Sequence, residues 1–355
     1  MLKKGRRGRA DVAAARGRLV PDRLAEKGSS PLLVLEERQV VRRYSPGETF
    51  EAGGLASLEE PVLLMSLPLS LSTEIANNPW MEDYGKEEGR IDHVRAIEQF
   101  TAVYRLLSKR ALVYLLPSRP GLQDQFYVAN LGAVLHHREE APVVVSRFRS
   151  PPRIAEGPLG FDFFRMMNLE VHEPPVEFAG EEVFFEGEAD LKRIRGNLYV
   201  GAEGMRSSRA AMRWMAETFE MQIIGFPIVD PRLYHLDGSL LPVDEDAVVL
   251  CLERATEEAR RAIESACEVI PVTLREARAG IANSLIMQGC FYCDTTIETV
   301  QPDDAWYEEE RVKVRAAERI CRAKGLDLEL VDISEFYKSG AGISCIVMRL
   351  NAAGY

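Results

Sequence analysis

Short apolar runs rich in valine, isoleucine and leucine recur along the chain, and segments with helical periodicity separate them. Runs such as "DAVVLCLE" and "SCIVMRL" lie next to glycine, proline or aspartate, which is typical of buried β-strands. Helices are predicted at about 91–109, 158–168, 207–219, 255–265, 273–280 and 306–324, the first with an apolar stripe of Ile91, Val94, Ile97, Val103 and Leu107. The pattern predicts an α/β or α+β fold with sheets buried on one face.

The even spacing of these elements also predicts the domain organisation. No glycine-rich or proline-rich linker interrupts residues 61–355, so we expect one domain there, built from a repeated supersecondary unit although the letters themselves do not repeat. Residues 1–60 are predicted to be an appended arm, basic and partly disordered, with one candidate strand in "PLLVLEERQVVRRY".

Charge changes this picture by excluding a class of partner. Residues 1–30 carry nine basic and three acidic side chains, so the overall net charge of -11 leaves -17 on residues 31–355. Such an acidic body argues against nucleic-acid binding, which needs a basic face. The basic head predicts a solvated arm, with a targeting peptide as the alternative. No uncharged apolar run reaches the ~18 residues of a membrane span, so no membrane partner is expected.

Six cysteines in 355 residues are too few for a disulfide scaffold, which favours a reducing, cytoplasmic setting. The "CFYC" stretch has the spacing of redox and metal sites. It lacks a second ligand pair, however, and strand alternation would place its two sulfurs on different faces. We therefore predict neither a metal site nor a cofactor.

Two stretches could carry nucleophilic chemistry. In "KSGAGISCIVMRL", Cys345 lies where a glycine-bearing loop meets an apolar strand, which suits either a nucleophile or a small apolar filler. In "DPRLYHLDGSLLPV", His235 and Asp237 are two residues apart, so in an extended segment they would share one face. An imidazole beside a carboxylate suits proton transfer near a cationic substrate, and the alternative is a surface pair.

Further polar residues interrupt or follow predicted strands. The stretch "FFEGEADLKRI" carries Glu186, Glu188 and Asp190 at alternate positions, where a shared strand face would need a bound cation or a protonated member. The alternative is an ordinary acidic turn. Other candidates are Asn130 in an apolar strand, Asn78 in a loop before proline, and two arginines that could bind a carboxylate or merely be solvated, Arg149 and Arg206.

Taken together, these stretches resemble the guanidino-group modifying superfamily, also called the pentein or amidinotransferase fold. The resemblance extends over about residues 61–350. The stretches "NNPWM", "FYVANLG", "RFRSPPRIAEG", "FEGEAD", "VDPRLYHLD", "IANSLIM" and "FYKSGAGISC" are similar to that family's blocks, in the family's order. The bacterial arginine dihydrolases and dimethylarginine dimethylaminohydrolases are the most similar branch.

The resemblance implies a five-bladed α/β propeller of ββαβ units around a pseudo-fivefold axis, with the active site in its centre. It implies that Cys345 is the nucleophile, that His235 is the general acid and base, and that Glu186 orients and charges the imidazole. Asp237 and Asn130 would bind the guanidino nitrogens, and Asp190 would support that wall. The amino-acid end of a substrate would then be bound by Asn78, Arg149 and Arg206.

The activity implied is hydrolysis of a guanidino compound, arginine or a close derivative, through a thiouronium bound to the cysteine. An amidinotransferase and a non-catalytic binding propeller are the alternatives, and a homo-oligomer is possible. Two alanines depart from the family's glycines, Ala341 before the nucleophile and Ala189 in the acidic block. Asn130 replaces the aspartate of arginine deiminases, and because an amide can both donate and accept, this favours a dihydrolase that forms ornithine.

Overall fold

The computed structural model describes residues 58–304 and 306–353, and these described residues lie in one compact unit. Most of the predicted arm lies outside them, so the boundary at residue 60 stays a prediction. Among the described helices, none is both long enough and apolar enough to cross a membrane.

Seventeen strands occur in the described residues, and most belong to small sheets of the same design. In chain order they are β1 (Val62–Ser66), β2 (Leu112–Leu116), β3 (Gly132–Val134), β4 (Val143–Val145), β5 (Val171–His172), β6 (Glu177–Phe178), β7 (Glu181–Glu182), β8 (Leu191–Arg195), β9 (Leu198–Glu203), β10 (Gln222–Pro227), β11 (Leu240–Asp244), β12 (Ala247–Cys251), β13 (Glu268–Val272), β14 (Leu285–Met287), β15 (Cys290–Asp294), β16 (Asp327–Val331) and β17 (Met348–Arg349). Strands β6 and β7 form a separate hairpin.

The other strands form five three-stranded sheets, ordered β17-β1-β2, β3-β4-β5, β8-β9-β10, β11-β12-β13 and β14-β15-β16. In every sheet the central strand pairs antiparallel with one neighbour and parallel with the other. Since β17 pairs with β1, the end of the described chain completes the sheet that its beginning starts. The repeated unit predicted from the spacing is therefore present five times in the described residues.

Helices connect the parallel strands, as parallel pairing requires a crossover. The described helices are α1 (Pro79–Glu88), α2 (His93–Leu107), α3 (Glu156–Met166), α4 (Arg209–Thr218), α5 (Glu257–Ala266), α6 (Leu274–Arg278), α7 (Tyr307–Lys324) and α8 (Ser334–Tyr337). Every predicted helix is present, most with bounds within about two residues of the prediction. Helix α1 contradicts the loop predicted around Asn78, because the Asn78 side-chain oxygen accepts from the backbone N–H groups of Trp80 and Met81 and so caps the helix.

Helix α2 shows how sequence and packing agree only in part. Asp92 caps its first turn by accepting from two backbone N–H groups, and the buried face includes Ala96, Phe100 and Val103. The predicted stripe is wrong at Val94, which is 69% exposed, and at Ile97, which is 37% exposed. The apolar face begins further along the helix than the first branched residues suggested.

Cys290 and Cys293 of the "CFYC" stretch lie on β15, as alternation predicted for two sulfurs on different faces. Each is buried in a different apolar cluster, Cys290 beside the core around Phe100 and Cys293 beside the core around Phe291. Both are free thiols that pack as small apolar side chains.

Candidate active site

Five short 3-10 turns, one before the first antiparallel strand of each sheet, position the candidate site. They span Val128–Asn130, Gly187–Asp190, Leu236–Gly238, Ile281–Asn283 and Ile343–Ile346. Each turn contacts the next along the chain, and the last contacts the first, so the turns form a closed ring. Polar residues on or directly before these turns are thereby collected from five distant parts of the sequence.

Cys345 lies in the last of these turns, and its side chain is buried. Its sulfur is 3.8 Å from Asp237 Oδ2 and 3.3 Å from each of the two terminal amide atoms of Asn283. Burial first, and then the negative charge of Asp237, raise the pKa of the Cys345 thiol well above its usual range. Both effects favour the protonated thiol over the thiolate.

His235 and Glu186 form a buried pair across the ring. His235 Nε2 is 2.9 Å from Glu186 Oε2, and this carboxylate also lies 3.4 Å from Arg206 Nη1. Burial raises the pKa of Glu186, but the hydrogen bond from His235 and the charge of Arg206 outweigh it and lower that pKa to about 2. A carboxylate that stays ionised beside an imidazole orients the ring and stabilises its protonated form.

The backbone at these residues differs from the strands predicted from sequence. His235 is extended, with φ -118° and ψ 160°, but the chain then turns at Leu236–Gly238, so alternation does not place Asp237. The shared face predicted for the acidic triplet is wrong as well. Glu186 contacts His235, whereas Glu188 Oε1 pairs with Arg349 at 2.9 Å, because a 3-10 turn starting at Gly187 replaces the strand.

Asp190 lies behind the segment that bears His235. Its two carboxylate oxygens accept from the Ser207 hydroxyl at 2.6 Å and from the Leu236 N–H at 3.1 Å. The side chain is fully buried, and this burial raises its pKa to about 6 although the charge of His235 and the hydrogen bond from Ser207 act in the other direction. Asp190 thus supports the wall of the site rather than lining its cavity.

Asn130 lies on a turn instead of in the predicted strand, and an arginine fixes its side chain. Arg153 Nη1 donates to Asn130 Oδ1 at 2.8 Å, while Asn130 Nδ2 lies 3.4 Å from His235 Nε2. Asn130 Nδ2 also donates to the Glu186 carbonyl oxygen at 3.3 Å, so both ends of the amide are bonded within the protein. The donor and acceptor capacity that favoured a dihydrolase is therefore already used in part at each end.

The two arginines predicted from sequence are placed differently. Arg206 donates to Asn77 O at 2.6 Å, and its guanidinium carbon is 4.9 Å from the centre of the Tyr234 ring. Arg149 is exposed and donates to the carbonyl oxygens of Gly204 and Met205. Of these two arginines, Arg206 lines the cavity beside Cys345.

That cavity is small, about 20 Å³, which is enough for one water molecule. The residues lining it are Asn77, Asn78, Asp124, Tyr127, Asn130, Arg153, Arg206, Tyr234, His235, Ser339, Ala341 and Cys345. The predicted nucleophile and acid–base residue therefore share one cavity, and Ala341 contributes to its wall. Asp237 lies next to this cavity, since its carboxylate contacts the Cys345 sulfur.

Sequence reasoning missed several lining residues. Buried Arg153 donates three hydrogen bonds to Glu156, three residues further along the chain, and this spacing could have revealed the pair. Asp124 accepts from Asn77 at 2.7 Å, and burial raises its pKa. Asn283, of the quoted "IANSLIM" stretch, also received no role; it does not line this cavity but contacts the Cys345 sulfur.

Comparisons with known proteins were made with this geometry in view, and no family model matches the chain. The chain is 28% identical over 309 residues to the uncharacterised protein ZK1307.1 of Caenorhabditis elegans, covering 86% of this chain and 99% of that one. It is 26% identical to the bifunctional arginine dihydrolase/ornithine cyclodeaminase AgrE of a Nostoc species, covering 81% of this chain but only 37% of AgrE. A dimethylarginine dimethylaminohydrolase of Mycobacterium tuberculosis is 24% identical over 81% of this chain and 85% of its own length.

Solved structures give the same result for the fold. The N-terminal domain of ArgZ, in a variant covalently bound to a reaction intermediate, matches with a TM-score of 0.69 at 23% identity. The match covers 82% of this chain and 98% of that domain. The predicted resemblance is confirmed. The relatives of this chain whose names state an activity are an arginine dihydrolase and a dimethylarginine dimethylaminohydrolase, which supports the predicted enzyme class. The mixed α/β fold is shared with the solved structure.

Proposed function

We propose that this protein is a thiol-dependent hydrolase of a guanidino compound, arginine or a close derivative. One observation carries the proposal: Cys345 and His235 line the same buried cavity, with Glu186 bonded to the imidazole and Asp237 beside the sulfur. A nucleophile, an acid–base group with its orienting carboxylate, and a carboxylate for a cation are what this chemistry needs.

The raised pKa of Cys345 fits a cationic substrate. A guanidinium carries one positive charge, and next to Asp237 it would offset the negative charge that disfavours the thiolate. Binding of the substrate then generates the nucleophile at the moment it is needed.

The proposed reaction proceeds in two stages. His235 accepts the proton of the Cys345 thiol as the substrate binds, and the thiolate attacks the guanidinium carbon to form a tetrahedral adduct. His235 then protonates the departing amine, the carbon–nitrogen bond breaks, and a thiouronium remains on the sulfur. Water deprotonated by the same imidazole attacks this carbon, and collapse of the second adduct breaks the carbon–sulfur bond and releases the product with the thiolate restored.

The named relatives favour water over an amine as the second nucleophile. AgrE and ArgZ are arginine dihydrolases, and the Mycobacterium tuberculosis relative is a dimethylaminohydrolase, so hydrolysis is proposed in preference to amidino transfer. The same names support arginine as the substrate and ornithine as the product. The two stages must then run twice: the first round releases ammonia and leaves citrulline, and the second, at the ureido carbon of citrulline, releases ammonia, carbon dioxide and ornithine.

The amino-acid end of the substrate is proposed to bind Arg206, the predicted arginine that lines the cavity. Asn78 also lines it, but its amide already caps helix α1 and donates to Ser339 O at 3.1 Å. We further propose that the five sheets are the blades of a five-bladed propeller. Their identical strand pattern and the closed ring of turns support this arrangement.

The test is incubation of the full chain with isotopically labelled arginine, with and without glycine, followed by mass spectrometry. We expect ornithine and ammonia without glycine, and a loss of at least about a thousandfold in Cys345→Ser, because the hydroxyl is a far weaker nucleophile. Cys267→Ser is the matched control, since this half-buried thiol lies at the end of helix α5 and should be dispensable.

Other products would revise the proposal in defined ways. Citrulline would identify a deiminase, and product formed only with glycine would identify a transferase. If neither arginine nor a panel of methylated and decarboxylated arginines reacts, the protein is not a hydrolase of this class, and a binding role takes its place.

A further inference from the structure

The ring of turns has a fourth member whose polar residue received no role from the sequence. The turns before the other four strands place Asn130, Glu186 with Asp190, His235 with Asp237, and Cys345. The remaining turn, Ile281–Asn283, occupies the equivalent position before β14 and ends in a half-buried asparagine. Gly280 starts it in the left-handed region, and buried Ile281 and Ala282 anchor it, so the Asn283 side chain has a fixed origin.

Asn283 contacts the reacting sulfur directly. Both Oδ1 and Nδ2 of its amide are 3.3 Å from Cys345 Sγ, so the amide lies side-on to the thiol. The hydroxyl of Ser344 is 3.0 Å from Asn283 Oδ1 and donates to Asp237 Oδ2 at 2.9 Å. The sulfur thus contacts both an amide and a carboxylate, and the Ser344 hydroxyl connects the two.

The close approach of the two turns depends on a glycine. A Cβ atom at Gly342 would lie 2.6 Å from Asn283 Oδ1 and 2.8 Å from the Asn283 carbonyl oxygen. Both distances are shorter than side-chain carbons tolerate, so any other residue at 342 would push the nucleophile turn away from this amide. The loop that bears Cys345 is therefore shaped to lie against Asn283.

We propose that Asn283 is a catalytic residue that holds the Cys345 sulfur in both of its protonation states. This inference rests on the proposed function, since it assigns a further residue to the same nucleophile. In the resting enzyme the thiol S–H donates to Asn283 Oδ1. In the thiolate the sulfur accepts from Nδ2, and no rotation of the amide is needed because both atoms are equally near.

The amide supplies what the other neighbour cannot. Asp237 offers only acceptor oxygens, so it favours the protonated thiol and repels the thiolate. Asn283 adds a donor within reach of the sulfur, and a hydrogen bond to a charged group shifts an equilibrium by about ten- to a hundredfold. Asn283 thereby favours the nucleophilic form without competing for the guanidinium.

The test uses the full chain and a readout that does not require turnover. Iodoacetamide alkylates thiolates, and peptide mass spectrometry reports the rate at Cys345 separately from the other five cysteines. We expect Asn283→Ala to slow alkylation of Cys345 at pH 8 by about ten- to a hundredfold. Asn283→Asp keeps the shape but exchanges the donor for a second negative charge, so it should react more slowly still.

Turnover of arginine provides the second readout. Both variants should lose kcat by a similar factor with KM within about threefold, because the amide contacts the sulfur and not the substrate. The matched control is Asn197→Ala, which removes an amide that donates to Glu220 O away from the cavity. Thermal unfolding of each variant shows whether it is folded, and the isosteric Asn283→Asp keeps the test valid if the alanine variant is not.

The outcomes separate this proposal from the proposed function. Wild-type alkylation rates in both Asn283 variants would overturn the role of Asn283, whatever the substrate is. If the wild type hydrolyses no guanidino compound but its alkylation still depends on Asn283, the proposed function fails and the assignment of Asn283 stands. Slower alkylation in Asn283→Ala that Asn283→Asp fully restores would also contradict it, because a carboxylate cannot donate.

Discussion

Two cavities lie on either side of the loop that precedes Cys345, and Ala341 lines both of them. The cavity at the sulfur has a volume of about 20 Å³, whereas the other, behind the loop, has about 520 Å³. Size alone would place a ligand in the larger one. The charged groups favour the smaller one instead. Those at the large cavity pair with one another and stabilise the fold, whereas those around the small cavity have shifted pKa values.

In the large cavity the buried charges pair with one another, one cation with two carboxylates. Lys313 Nζ lies 2.9 Å from Asp294 Oδ2 and 3.6 Å from Glu310 Oε1, and the second oxygen of Asp294 accepts from the Ile343 N–H. Such a triad fixes the loop by pairing. Its members serve the structure, and a bound ligand would have to displace these partners.

Around the small cavity, at Cys345 and at residues behind its lining, the environment moves pKa values apart. The pKa of Glu186 falls to about 2, that of Asp190 rises to about 6, and that of Cys345 rises well above its usual range. The carboxyl groups of Glu186 and Asp190, only a few residues apart in sequence, thus have pKa values that are shifted in opposite directions. Oppositely shifted pKa values at neighbouring groups are typical of acid–base sites, and together with the contact between Cys345 and Asp237 they favour the small cavity.

The largest effect is expected from removing the central cation of the large cavity. Lys313→Met leaves Asp294 and Glu310 buried without their partner, which should lower the free energy of unfolding by about 3–5 kcal/mol. Urea denaturation measures this loss. The kcat of the folded variant should change by less than about tenfold, because no atom of Lys313 lines the small cavity.

Lys324→Met is the matched control on the same helix. Lys324 pairs near the surface with Asp244 at 3.0 Å and Glu268 at 3.3 Å, and such pairs contribute about 1 kcal/mol or less. Equal losses in the free energy of unfolding in the two variants would contradict the division between a structural and a catalytic cavity. A fall of more than about tenfold in the kcat of folded Lys313→Met would contradict it as well.

A smaller effect, with the opposite sign, is expected at Asp190 behind the small cavity. Its pKa is about 6 in the folded protein against an ordinary 3.8, so the unfolded chain releases this proton first as the pH rises. The contribution of Asp190 to stability therefore falls between pH 3.8 and about 6, by about 3 kcal/mol at most. An amide side chain does not titrate in this range, so in Asp190→Asn this decline should be absent.

Urea unfolding of the wild type and Asp190→Asn at pH 4, 5, 6 and 7 measures the difference. As the pH rises, the free energy of unfolding of the wild type should fall relative to that of the variant, and this difference should level off above about pH 6. Asp162→Asn, at an exposed position of helix α3, is the control and should run parallel to the wild type. If the free energies of unfolding of wild type and Asp190→Asn differ by the same amount at every pH, the folded protein does not raise the pKa of Asp190.

The sequence predicted the repeated strand and helix units well because their signals are local. Apolar runs bounded by glycine or aspartate became strands, and the helices at 207–219 and 306–324 were found at Arg209–Thr218 and Tyr307–Lys324. The pairing of Cys345 with His235 came from the order of the blocks in the resembled family. No periodicity within one segment could have brought residues 110 positions apart into one cavity.

The 3-10 turns account for most of what could not be predicted. A turn of three or four residues gives no periodic signal, and it redirects side chains that alternation would place together, as with Glu186 and Glu188. The stretch "RFRSPPR" offers three arginines within seven residues. Only the turn at Pro151–Arg153 and the buried pair with Glu156 show that Arg153 points inward while Arg149 does not.

The smallest effect expected concerns the two arginines that the sequence treated alike. Arg206 lies 3.4 Å from Glu186 and lines the small cavity, whereas Arg149 is exposed and bonds only to backbone oxygens. Arg206→Ala removes the proposed partner of a substrate carboxylate, so kcat/KM for arginine should fall about tenfold, the value of one charge-assisted hydrogen bond. Arg149→Ala should stay within about twofold of the wild type.

Steady-state kinetics with arginine and with its decarboxylated analogue separates the two roles of Arg206. If it binds the carboxylate, the loss should be confined to arginine, and if it acts through Glu186, both substrates should suffer equally. An equal loss in Arg149→Ala would return that residue to the site.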